Sequence, residues 1–130
     1  MTLLREPVLT PEERAAFEKG VHEFNTGFFF ECHDTLEDLW AGVRGDGRDF
    51  FQGLIQTSVA FYHLGRGNSQ GALSMLQRAL ARFGKYPDRY YGFDLGTHRR
   101  ALASWAELAR AGGGSEPALD SVPKWRFDPP

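Results

Sequence analysis

FFQGLIQTSVAFYHL, residues Phe50 to Leu64, contains no charged side chain, and its apolar residues fall on every side of a helical wheel. A helix of that kind must be covered nearly all round by other elements, so the stretch reads as the central helix of an all-α fold. It is shorter than the roughly 20 apolar residues that span a bilayer. It also carries Gln52, Gln56 and His63, so no membrane partner is expected. At 100° per residue those three side chains fall within about 40° of one another and draw a polar line along the rod.

Working outward, Thr10 with Glu13 has the spacing of a capping box, and Pro11 stands at the first helical position, where its missing N–H costs nothing. Helix one follows on a Phe17, Val21, Phe24 stripe and ends at Asn25-Thr26-Gly27. Helix two is expected from about Phe29 to Val43. Its buried stripe is Phe29, Cys32, Leu36, Leu39 and Val43, with Glu31, Asp34 and Asp38 on the far side. GVRGDGRD, rich in glycine and charge, reads as a loop before the central helix. Asn68 is a candidate N-cap for helix four, whose inner face is Ala72, Leu76, Ala79, Leu80 and Phe83 and whose Arg78, Arg82 and Lys85 suit its C-terminal end. GKYPDRYYG is a turn-rich connection, and Asp94 caps a fifth helix that runs to about Arg110 and breaks at Gly112-Gly113-Gly114. One five-helix domain over 1–130 is expected, with a lead-in at 1–9, a bundle at 10–111 and an extended tail at 112–130. The tail's Val122, Trp125 and Phe127 pack back on the bundle or, alternatively, join a homo-oligomer.

The chain of 130 residues, 42% hydrophobic with net charge −2, can bury a real core but offers no basic stripe for nucleic acid. One cysteine forms no internal disulfide, and the N-terminal stretch lacks a signal peptide's long apolar core, so a cytoplasmic address is expected.

A shift of 40 residues aligns Gly27 with Gly67, Cys32 with Ala72, Leu36 with Leu76 and Trp40 with Leu80, which makes two helical hairpins in series. Small residues, Gly20 and Ala60, sit on the first helix of each hairpin. The pattern resembles the tetratricopeptide hairpin, although that repeat is usually about 34 residues long.

Two strings, FNTGFFFECHDTLEDLW (Phe24 to Trp40) and FFQGLIQTSVAFYHLGRGNSQGALSMLQRAL (Phe50 to Leu80), are similar to the signature blocks of the domain-of-unknown-function family numbered 309. The resemblance covers about 24 to 95 and includes Glu31, His33, Glu37, Trp40 and the Gln-Gln-His series of the central helix. It implies an all-helical bundle with no established activity. Cys32 and Asp34 depart from the family's more usual alanine and glutamate.

On helix two, His33, Glu37 and Trp40 share one side at i, i+4 and i+7, and this side can meet the Gln52, Gln56, His63 line. The six residues form the candidate binding cluster of a module for a protein or small ligand, or a buried network in which Glu37 fixes a histidine tautomer. The alternative is a metal-dependent, hydrolase-like enzyme in which His33, Glu37 and His63 hold a divalent cation. A ferritin-like di-iron site is excluded, because no Glu-x-x-His occurs in the chain. His33-Asp34 matches the dipeptide of metal-dependent phosphohydrolases, but neighbouring helical residues point about 100° apart and His22 and His98 lack a matching frame. Cys32 lies on the core stripe and is expected to be a buried thiol rather than a nucleophile.

Overall fold

The computed structural model describes residues 4–113 and 119–129. Within them the chain forms five helices: α1 (Pro11–Asn25), α2 (Phe29–Gly42), α3 (Gly47–Gly65), α4 (Ser69–Phe83) and α5 (Leu95–Arg110). Each helix packs chiefly on its neighbours in sequence, α1 on α2, α2 on α3, α3 on α4 and α4 on α5. The fold is an all-α bundle with α3 at its centre. Twelve residues of α3 are buried, among them Phe50, Phe51, Leu54, Ile55, Phe61 and Leu64.

The start signals work as local chemistry requires. Thr10 Oγ1 accepts from the Glu13 amide at 3.1 Å while the Glu13 carboxylate accepts from the Thr10 amide at 2.9 Å, so two otherwise orphaned N–H groups are satisfied. Asn68 Oδ1 accepts from the Gly71 amide at 2.9 Å, and Asp94 Oδ1 from the Thr97 amide at 3.2 Å.

The two hairpins repeat at the level of hydrogen bonds. At the first turn the Phe28 and Gly27 amides donate to the Glu23 and Phe24 carbonyls at 2.8 and 3.1 Å; at the second, the Asn68 and Gly67 amides donate to His63 and Leu64 at 2.8 and 3.0 Å. Both turns need a left-handed residue, supplied by Gly27 (φ 87°) and Gly67 (φ 75°). The aligned pairs Cys32/Ala72 and Leu36/Leu76 are all fully buried. Gly20 permits the close approach of α1 to α2, since a Cβ there would lie 2.7 Å from Leu36 Cδ2.

Two expectations are corrected. First, α3 begins at Gly47, so Gly47, Arg48 and Asp49 are helical rather than loop. Gly47 is buried against Pro7, whose ring atoms would stand 3.1 to 3.2 Å from an added Cβ, so this glycine marks a contact and not a break. Second, the 84–92 connection leads into a small antiparallel ribbon, β1 (Arg89–Tyr90) and β2 (Phe93–Asp94). Its turn residues Tyr91 and Gly92 both have positive φ, 52° and 70°, the geometry of a tight primed turn. The ribbon is held by its rings, with Tyr90 and Phe93 on Phe50 at 5.0 and 6.5 Å.

The tail packs on its own bundle. Trp125 stacks on Phe24 with centroids 3.8 Å apart, and Asn25 clamps its backbone, donating to the Trp125 carbonyl and accepting from its amide, both at 2.8 Å. Phe127 pairs with Phe93 as a lone bridge and stacks on its ring at 4.4 Å. A short 3-10 turn, Leu119–Ser121, precedes these residues, and positions 114–118 of the expected extended tail lie outside the described residues. Among the described residues no helix is long and apolar enough to cross a membrane.

Candidate functional site

The six candidate residues divide among three places. His33 and His63, 30 residues apart in sequence, line one cleft of about 130 Å³ between α2 and α3, together with Phe29, Phe30, Val59 and Tyr62. The rings form a ladder, with Phe30 5.6 Å from His33 and 5.4 Å from Tyr62, and Tyr62 6.1 Å from His63. Arg66 lies over the Tyr62 ring at 5.6 Å. A second depression of about 350 Å³ shares Phe29, Phe30 and Tyr62 and continues past Phe28, Glu31 and Arg66. Phe28 and Phe30 are 57% and 48% exposed, the two most exposed aromatic rings on the described surface. A run of three phenylalanines at 100° steps cannot bury all its rings on one helical face, and that was the signal in the sequence for this patch.

At the outer edge of the cleft Glu37 Oε1 stands 3.3 Å from His33 Nε2, as the i, i+4 spacing predicts. Asp34 does not face away. Its Oδ1 is 3.3 Å from His33 Nδ1, because a short carboxylate one residue on can fold back over the ring. The approach lacks the geometry of a hydrogen bond, and the buried Nδ1 has no hydrogen-bond partner. Ligand atoms of His33, Asp34 and Glu37 all lie within 4.8 Å of one another. That set holds Asp34 where the sequence suggests His63; His63 Nδ1 instead faces the Asn68 side-chain amide at 3.4 Å.

Trp40 stands apart from the cleft. Its indole N–H donates to the Arg48 carbonyl at 3.1 Å, the Arg48 guanidinium lies 3.8 Å over its ring, and Arg48 donates to the Trp40 and Val43 carbonyls. These contacts close the α2–α3 turn and satisfy the last carbonyls of α2.

Gln52 and Gln56 also leave the cluster. They line an open groove of about 600 Å³ between α3 and α4 with Asp49, Arg78, Ala81, Arg82 and Lys85. The polar line is thus one stripe of α3 whose two halves open onto different neighbours. Asp49 receives Arg82 at 2.5 Å and Lys85, and these partners, Lys85 first, hold its carboxyl below the usual carboxylate range.

Cys32 is fully buried, and desolvation pushes its thiol up to about 12 against the lowering effect of the Ser58 hydroxyl, so it is protonated and inert at neutral pH. His98 is a buried imidazole that the sequence pattern passed over. Burial pushes it down to about 4, and its Nε2 has no partner.

Two curated proteins and one family model are similar to parts of this chain. An uncharacterized protein of Aquifex aeolicus (strain VF5) is 28% identical over 91 residues, 69% of this chain and 27% of the relative. The uncharacterized protein YpuF of Bacillus subtilis (strain 168) is 36% identical over 53 residues, 40% of this chain and 30% of the relative. The aligned part therefore spans under a third of either relative's length. The family described as "Domain of unknown function (DUF309)" matches residues 17–75, from Phe17 in α1 to Met75 in α4, which include His33, Asp34, Glu37 and His63, so this segment of the chain is similar to that family.

Proposed function

We propose that residues 10–111 form one helical module, with a lead-in at 1–9 and a tail at 112–130, that works in the cytoplasm and binds a segment of a partner protein in the cleft between α2 and α3. The observation that carries this reading is a pair of half-exposed rings, Phe30 lining a cleft walled mainly by aromatic and imidazole side chains and Phe28 lining the depression that adjoins it. Exposed aromatics beside a preformed recess are where binding energy concentrates in protein interfaces. The exposed carboxylates of Asp34 and Glu37 at one edge select the chemistry of the occupant: an apolar side chain for the cleft with a lysine or arginine beside it. Screening the parent against a random peptide library should enrich sequences that pair an aliphatic or aromatic residue with a basic one. Phe30→Ala should lose the enrichment, and Glu37→Gln should lose only the basic preference. A library profile unchanged by both substitutions refutes the reading.

A second reading has its own observation, the convergence of His33, Asp34 and Glu37 within 4.8 Å. One imidazole and two carboxylates suit a divalent transition metal, and with His63 across the cleft they would compose the site of a hydrolase-like enzyme. Titration calorimetry with manganese or zinc tests it. Binding that is lost in both His33→Gln and Asp34→Asn, with a metal-dependent rise in Tm only for the parent, supports this reading, and the absence of heat and of any Tm response removes it.

A further inference from the structure

The α3–α4 groove lies apart from the cleft and shares no residue with it. Three cations, Arg78, Arg82 and Lys85, line it from α4 and the residues that follow, against a single acid, Asp49. Asp49 is already paired with Arg82 and Lys85, so two positive charges remain uncompensated, and Arg78 makes no hydrogen bond or ion pair among the described residues. Cations near the C-terminus of a helix commonly do no more than complement its dipole. Gln56 makes this groove different. It is only 7% exposed, lines the same space, and its Oε1 has no hydrogen-bond partner, an arrangement that native structures avoid unless something external supplies the partner. Because amide oxygen and nitrogen are interchangeable by shape, Gln56 can present either a donor or an acceptor to an occupant, and Gln52 beside it adds a second amide.

We propose that this groove binds the phosphate monoester of a small polar metabolite, with the phosphoryl group against Arg78, Arg82 and Lys85 and the remainder of the molecule against Gln52 and Gln56. A phosphate monoester carries about −1.5 to −2 charges at pH 7, which matches the two spare positive charges, whereas a monocarboxylate would leave one unmet. Guanidinium groups offer the planar fork that phosphate oxygens accept in pairs. The volume of about 600 Å³ falls in the usual range for a ligand of nucleotide size.

The test is an NMR and calorimetric titration of the full chain with adenosine monophosphate, glycerol 3-phosphate and inorganic phosphate, each at constant ionic strength set with potassium chloride. The expected result is that at least one ester binds more tightly than inorganic phosphate and shifts the side-chain amide signals of Gln52 and Gln56. Arg78→Gln, which breaks no hydrogen bond or ion pair among the described residues, should keep the parent's Tm and weaken the ester about tenfold. Gln52→Leu should erase the preference for an ester over inorganic phosphate while leaving phosphate binding in place. Esters that perturb the spectrum no more than chloride, or an Arg78→Gln variant that binds as the parent does, overturn the proposal. So does a short single-stranded oligonucleotide that binds more tightly than the mononucleotide, because the phosphate would then belong to a nucleic-acid backbone.

Discussion

Gly53 and Gly65 lie on the same helix, and replacing each with alanine should change stability in opposite directions. At Gly53 an added Cβ would stand 2.7 Å from Cζ and 2.9 Å from Cδ1 of Phe83, inside the closest separation that real side chains show, and nearer still to Cε1. The Phe83 ring cannot retreat easily, since it is fully buried between Phe50 at 6.1 Å and His98 at 5.9 Å. Overpacking of that kind costs about 1–3 kcal/mol. The intrinsic preference of a helix for alanine over glycine returns about 1 kcal/mol. With three ring atoms inside the limit the cost lies at the upper end, so Gly53→Ala should lose about 2 kcal/mol net. At Gly65 nothing lies within 4 Å of the added methyl and φ is not positive, so only the entropic gain of about 0.4–1 kcal/mol remains. Urea denaturation followed by far-UV circular dichroism should therefore separate the two variants by roughly 2–3 kcal/mol, and Phe83→Leu should recover part of the loss in the Gly53→Ala background. A Gly53→Ala protein as stable as the parent would mean that α3 and α4 do not approach as closely as the structure places them.

Leu36 is fully buried beside Gly20, so Leu36→Ala should cost about 2–5 kcal/mol by leaving a cavity, and a loss below about 1 kcal/mol in the same assay would contradict its place in the core. Asn25→Ala removes both clamps on the Trp125 backbone and should cost about 1–3 kcal/mol, accompanied by a red shift of tryptophan emission that leaves the helical signal unchanged. For His98, burial lowers the folded-state value to about 4, while in the unfolded chain the imidazole titrates near the ordinary histidine value of about 6.5. The unfolded state then binds the extra proton between those values, so stability is intact above about pH 6.5 and falls as the pH drops toward 4, by at most roughly 3 kcal/mol. His98→Phe should flatten that part of the pH–stability curve relative to the parent, and parallel curves would refute the assignment.

Elements whose signals are local were legible in the sequence. Thr10, Asn68 and Asp94 each accept a hydrogen bond from an amide three residues on, so a window of four residues is enough to identify them. The hairpin repeat was legible because both turns demand a glycine at the same left-handed position. Gly47 was read as a breaker because its reason for being glycine, the ring of Pro7, lies 40 residues of chain earlier and outside any local window. The ribbon escaped for a similar reason, since its strands are two residues long and depend on rings from α3 and the tail. Within the candidate site, His33 and Glu37 follow from helical spacing, and His63 joins His33 once α2 and α3 are neighbours. Gln52 and Gln56 separate from them because α4 stands over that half of α3, which no periodicity within α3 reveals. Arg78, Arg82 and Lys85 suited a helix C-terminus in the sequence, and only the fold sets them beside the unpartnered amide of Gln56.

The clamp of Asn25 on Trp125 also bears on how fast the molecule comes apart. Neighbouring helices meet through short stretches of chain, so the α1–α2 and α3–α4 hairpins can form early and at small entropic expense. The Asn25–Trp125 bonds close a loop of 100 residues, and the Tyr90 hydroxyl, bound to the Arg5 carbonyl, closes one of 85. Contacts of that span form after the hairpins are in place, because closing a long loop is unfavourable until packing offsets it. Interactions absent from the folding transition state govern the rate of escape from the native basin and leave the rate of entry almost untouched. The tail thus functions as a latch across the first helix and the ribbon before the fifth. Loosening it should shorten the lifetime of the folded state while refolding proceeds at its former pace.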